Sequence, residues 1–126
     1  MEWIGLGRTQ NRTKFDGDVI VSYENHGEET RVQFKFRKNS SYKITSGEHI
    51  VVAKDEDRIY FKESDAKGFK LGNYANNVRV IKVKFKKLPL KEDCLGEYNL
   101  EVDSKLGLHY ICLNRKLEKQ LFWETK

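Results

Sequence analysis

Two stretches of the chain carry a cation at nearly every second position. In the first, Arg31, Lys35 and Arg37 alternate with Val32, Phe34 and Phe36; in the second, Lys82, Lys84 and Lys86 alternate with Ile81, Val83 and Phe85. A period of two is that of a β-strand, so each stretch predicts one apolar face and one basic face. Several cations on a surface that follows an extended backbone suit one chemistry above others, the neutralisation of phosphates. Lys38 and Lys87 continue the two stretches, and Arg8 and Arg12 in the polar N-terminal region would add a basic arm able to reach phosphates or a minor groove. Lysines on edge strands also discourage aggregation, so the pattern has a structural use as well. Alternation sends Phe34, Phe36 and Phe85 to the face opposite the cations, which assigns them to the core and argues against base stacking. Tyr42, Tyr60, Tyr74 and Tyr110 remain candidates for exposure.

Other reactive side chains make no recognisable centre. His26, His49 and His109 are dispersed, with no nucleophile placed beside them. Asp55-Glu56-Asp57 and Asp103-Ser104-Lys105 fall where turns are expected, and Gly5-Leu6-Gly7 is too short for a phosphate loop. Cys94 and Cys112 are the only cysteines. They are too few and too far apart for a zinc site or a disulfide framework, and read as core or half-buried residues. The expectation is a protein with no catalytic residues, no metal and no cofactor.

The 126 residues fit one domain, with 38% hydrophobic and 34% charged residues. Lys and Arg number 24 against 19 Asp and Glu, a net charge of +5, which favours polyanionic partners. No apolar run approaches the roughly 20 residues that span a bilayer, and the first residues lack a signal-peptide core, so a cytoplasmic location without a membrane partner is expected.

The elements that would position the cations come as two related units. Val32–His49, VQFKFRKNSSYKITSGEH, matches Ile81–Tyr98, IKVKFKKLPLKEDCLGEY, at a constant offset of 49 residues, with Lys35/Lys84, Phe36/Phe85, Lys38/Lys87, Gly47/Gly96 and Glu48/Glu97 identical. That is the signature of one small unit used twice, and two such units pack most simply about a pseudo-twofold axis. Hairpins are expected between Val19–Tyr23 and the run from Arg31, between His49–Ala53 and Arg58–Lys62, and between Tyr98–Val102 and Leu108–Leu113. The change of phase from Val78 and Val80 to Ile81 and Val83 predicts a bulge near Val80. Pro89 is placed to open a short helix, and Leu113, Leu117 and Leu121 recur every four residues, predicting a C-terminal amphipathic helix. The expected fold is mainly β, a small barrel or sandwich of two pseudo-repeated strand-plus-hairpin units with a short C-terminal helix. Its parts would be an N-terminal arm and strand (1–30), repeat 1 (31–63), a connection (64–77), repeat 2 (78–114) and the C-terminal helix (115–126).

In each unit a strand, a polar bridge, a Gly-Glu step and a hairpin such as GEHIVVAKDEDRIYFK follow in order, and LPLKEDCLGEYNLEVD adds a proline-initiated segment and a Leu-Gly step. This arrangement resembles the half-unit of AbrB-like swapped-hairpin transcription regulators. The resemblance implies two interlocked units that bind duplex DNA through basic residues near the first strand and helix, here Arg37, Lys38, Lys86 and Lys87. The reading of the whole sequence is a non-enzymatic, double-stranded DNA-binding transcription regulator, monomer or homodimer. The alternative is a protein-binding module of a phage or mobile element that inhibits a host factor, using a sheet edge or the region of Trp3 and Trp123; an RNA-binding β domain is a third.

Overall fold

The computed structural model describes residues 17–37, 47–75 and 77–117. Ten strands lie in chain order: β1 (Val19–His26), β2 (Glu29–Arg37), β3 (His49–Asp55), β4 (Arg58–Ser64), β5 (Phe69–Lys70), β6 (Gly72–Ala75), β7 (Val78–Lys84), β8 (Gly96–Tyr98), β9 (Glu101–Asp103) and β10 (Leu108–Cys112). They form two five-stranded antiparallel sheets, ordered β6-β7-β2-β1-β8 and β5-β3-β4-β10-β9. The sheets face one another across a shared core, as an open sandwich and not a closed barrel.

Alternation decides which residues fill that core. Val19 and Val21 of β1, Val32, Phe34 and Phe36 of β2, and Ile81 and Val83 of β7 point inward from the first sheet. Ile50, Ile59, Phe61 and Ile111 meet them from the second. Phe61 ties the layers together, edge-on to Phe34 at 5.4 Å and to Phe36 at 5.1 Å between centroids. Such geometry places ring edges on ring faces and adds about 0.5–1.5 kcal/mol per pair beyond the burial of area.

Strand pairing shows where local sequence acts. In the two-residue turns Gly27-Glu28 and Glu56-Asp57 the first loop residue has a positive φ, 65° at Gly27 and 54° at Glu56. That twist matches the right-handed twist of the flanking strands. β7 pairs with β2 without interruption from Val78 to Lys84. The expected bulge is therefore not at Val80; the irregularity lies in β6, between Asn73 and Ala75. Val78 and Val80 belong to the outer face, and Val80 is nonetheless buried, lying across from Lys35 on one side and Gly72 on the other.

Two strand pairs join residues about 49 positions apart. Gln33 faces Lys82, 49 positions on, at the centre of the β2–β7 pair. Tyr60 faces Tyr110 and Phe61 faces His109 in β4–β10, separations of 50 and 48 that straddle the same offset. His26 faces Glu29 in one hairpin, and Ala75 faces Val78, each 49 further on, in the other.

The helix expected after Pro89 is a three-residue 3-10 turn, Glu92–Cys94. Leu113–Arg115 is a second such turn, and most of the expected C-terminal helix (115–126) lies outside the described residues. Backbone pairing explains the second. Leu113 N–H donates to the Asp57 carbonyl and Leu117 N–H to the Glu97 carbonyl, so this segment is drawn onto the sheets instead of coiling on itself. Leu121 lies outside the described residues. Among the described residues no helix is long and apolar enough to cross a membrane.

Candidate nucleic-acid interface

The outer face of the first sheet gathers five of the expected cations. Arg31, Lys35 and Arg37 project from β2, and Lys82 and Lys84 from β7 beside it, with Arg31 directly opposite Lys84. The strands of this sheet carry six Lys and Arg against three Glu, whereas those of the other sheet carry four against four Asp and Glu. The sixth cation, Arg79, belongs to the inner side: its guanidinium donates to the Gly47 carbonyl at 2.8 Å and the Leu71 carbonyl at 3.0 Å, pinning the margin of the sandwich.

Three carboxylates temper this face. Lys82 donates to Glu24 at 2.9 Å, Arg31 to Glu29 at 3.2 Å, and Arg37 to Asp18 at 3.2 Å, while Lys84 lies 3.6 Å from Glu29. The hydrogen bond from Lys82 holds the Glu24 carboxyl below the usual carboxylate range, and that from Arg31 does the same for Glu29. Both pairs are open to water, where ion pairs contribute little and exchange readily. Lys35 makes a different contact, its Nζ 4.0 Å from the centroid of the Tyr74 ring. Tyr74 is 57% exposed and shares the face with the cations, two residues on from Gly72, which faces Val80.

Two expected site residues sit elsewhere. β7 ends at Lys84, so Lys86 and Lys87 belong to the turn that follows and not to the strand face; Lys87 N–H closes that turn on the Lys84 carbonyl at 2.9 Å. Phe85, expected in the core, is 37% exposed for the same reason. Its ring meets Tyr23 edge-on at 5.9 Å and borders an open cavity of about 580 Å³ shared with His26, Glu28 and Lys86. Arg8, Arg12 and Lys38 lie outside the described residues, as do Trp3, Tyr42 and Trp123.

The groups set aside as structural have structural partners. Asp103 Oδ1 accepts from the Lys105 and Leu106 amides, at 3.0 and 3.1 Å, and its Oδ2 accepts from Arg58 at 3.2 Å. Asp57 Oδ2 accepts from Asn114 at 2.6 Å. Cys94 is half-buried, and Cys112 is buried beside Tyr60 and Tyr110, which the structure buries as well. Among the described residues no group of three His, Cys, Asp or Glu side chains is placed to hold a metal ion. Sequence reasoning named Tyr74 as a candidate for exposure, which it is, and missed Glu24 and Glu29. Both acids were accessible from the tight turn at Gly27, which fixes the register and sets Glu24 across from Arg31.

No protein-family model, curated protein or solved structure matches the chain.

Proposed function

We propose that this chain is a non-enzymatic duplex-DNA-binding protein acting as a regulator of transcription, with the outer face of the β6-β7-β2-β1-β8 sheet as its phosphate-binding surface. The observation that carries the reading is the charge difference between the two sheets, three positive on one and balanced on the other. Phosphate contact needs cations that can leave their present partners, and exposed pairs such as Lys82–Glu24 meet that need. Flat sheet surfaces bearing Lys and Arg hold the backbone of a duplex and carry little base information, so sequence preference would come through DNA shape. The AbrB-like regulators that the repeated unit resembles place their DNA contacts on comparable basic residues.

A labelled duplex titrated with two double variants tests this. Lys82→Glu with Lys84→Glu abolishes binding, whereas Lys62→Glu with Lys70→Glu, on exposed positions of the other sheet, leaves it unchanged. Equal losses in both would reduce the binding to overall charge.

A second reading rests on the other outer face. Tyr60 and Tyr110 lie 5.5 Å apart between centroids with their planes at 50°, Arg58 lies 4.2 Å over the Tyr110 ring, and Leu106 is exposed in the turn after β9. Tyr and Arg dominate protein-binding hot spots. Under this reading the chain holds a partner protein, and the duplex titration gives no binding at any salt.

A further inference from the structure

We propose that this chain binds duplex DNA as a fused dimer, with Lys35 and Lys84 gripping phosphates on the two opposite strands across one groove and the Gln33–Lys82 pair on the DNA dyad. The inference rests on the duplex-binding reading and specifies its geometry. Its foundation is strand register. An antiparallel pair has a local twofold axis through its centre, and the axis relates residue i to residue i + 49 only if positions 49 apart face each other there. Gln33 and Lys82 do so in the first sheet, and the separations of 50 and 48 around Tyr60/Tyr110 and Phe61/His109 set the same relation in the second. One axis through both sheets therefore relates the β1–β2 hairpin to the β6–β7 hairpin.

The charges on the outer face obey that axis once ion pairs are taken together. Lys82 is paired with Glu24; Gln33, 49 residues before Lys82, is neutral, and so is Gly72, which stands across from Val80 as Glu24 stands across from Arg31. Arg31 is paired with Glu29, and their counterparts, Val80 and Val78, are again neutral. Each of these cations without a charged counterpart is cancelled by a carboxylate, Lys82 by Glu24 across the two halves and Arg31 by Glu29 within its own strand. Arg37 is paired with Asp18, and its counterpart Lys86 lies in the turn after β7. Lys35 and Lys84 remain, identical residues at equivalent positions, with Glu29 shared between Arg31 and Lys84.

Their spacing fits the ligand. Each lies two residues from the central pair in opposite directions. At about 3.4 Å per residue and about 4.8 Å between strands, their Cα atoms stand about 14 Å apart. The major groove is about 12 Å wide, and a lysine side chain covers the difference on either side. The two walls of a groove are related by the duplex's own local dyad, so a surface with two equivalent cations about an axis meets two equivalent phosphates. A single chain thus does what a DNA-binding dimer does with two.

Phosphate ethylation interference on a mixed-sequence duplex, combined with the salt dependence of Lys35→Gln and Lys84→Gln, tests the geometry. The expected pattern is two patches on opposite strands, symmetric about a point between base pairs, at one chain per site. Each single variant lowers the slope of log affinity against log salt by about 0.9, the double variant by about 1.8. Duplex binding with interference on one strand only, or with a slope change in just one variant, overturns the symmetric grip and leaves the duplex-binding reading standing. Absence of duplex binding overturns both.

Discussion

Charge compensation around Glu24 and Glu29 governs what the basic face can do. The acids are held in their charged form by Lys82 and Arg31, so they occupy cations that phosphates would otherwise take. Glu24→Gln and Glu29→Gln each raise duplex affinity and steepen its salt slope by up to about 0.9, as a phosphate replaces the lost carboxylate. The same residues set an acid limit: a carboxyl whose folded pKa lies below its unfolded value contributes stability above about pH 4.3, and that contribution is lost as pH falls through the folded value. Urea midpoints between pH 6 and pH 3 fall less steeply in Glu24→Gln than in the parent. Tyr98 gives the opposite sign. Burial pushes its hydroxyl, which donates to the Cys94 carbonyl, up to about 12. The folded state then holds the proton more tightly than the unfolded one, so stability is full below about pH 10 and declines by on the order of 2 kcal/mol as pH rises to about 12. Tyr98→Phe flattens that alkaline decline in urea melts; an identical decline in both proteins would contradict it.

Turns and edges explain which elements the sequence revealed. The β1–β2 and β3–β4 hairpins were legible because Glu29–Arg37 alternates cleanly and each hairpin is closed by a two-residue turn. Tyr98 was misplaced into the last hairpin; it belongs to β8 of the other sheet, facing Val19, because sequence period gives a strand's faces and not its sheet. At Leu113 and Leu117 the leucine period says nothing of the backbone hydrogen bonds that Asp57 and Glu97 offer, which draw these two residues onto the sheets. β5 depends on a glycine. At Gly68 φ is 93°, and an added Cβ would lie 2.3 Å from the Ile50 carbonyl oxygen. Gly68→Ala therefore costs more than about 1 kcal/mol in a urea melt and releases β5 from β3. The turn at Glu56 is the milder case, a side chain held in the left-handed region. Glu56→Gly is neutral or stabilising by up to about 1 kcal/mol, and Glu56→Ile is destabilising by about 1 kcal/mol or more.

One core and two unlike outer faces describe the whole molecule. The core rests on Phe61 between Phe34 and Phe36, so Phe61→Ala removes about 3–5 kcal/mol, a large share of the roughly 5–15 kcal/mol that a domain of this kind possesses. The basic surface was visible in the sequence as residue types and spacing. Its partial neutralisation and the departure of Lys86 from the strand were not, since each depends on which strands become neighbours. The central claim is that the β2–β7 face binds the phosphates of a duplex, and the most direct test is fluorescence anisotropy of a labelled mixed-sequence duplex titrated at several salt concentrations between about 50 and 200 mM. With Lys35 and Lys84 engaged and Lys82 in exchange between Glu24 and a phosphate, log affinity falls linearly with log salt at a slope of roughly −2 to −3, and the slope shrinks when Lys35, Lys82 and Lys84 become Gln. No binding at the lowest salt, or a slope that the triple substitution leaves unchanged, would contradict the account.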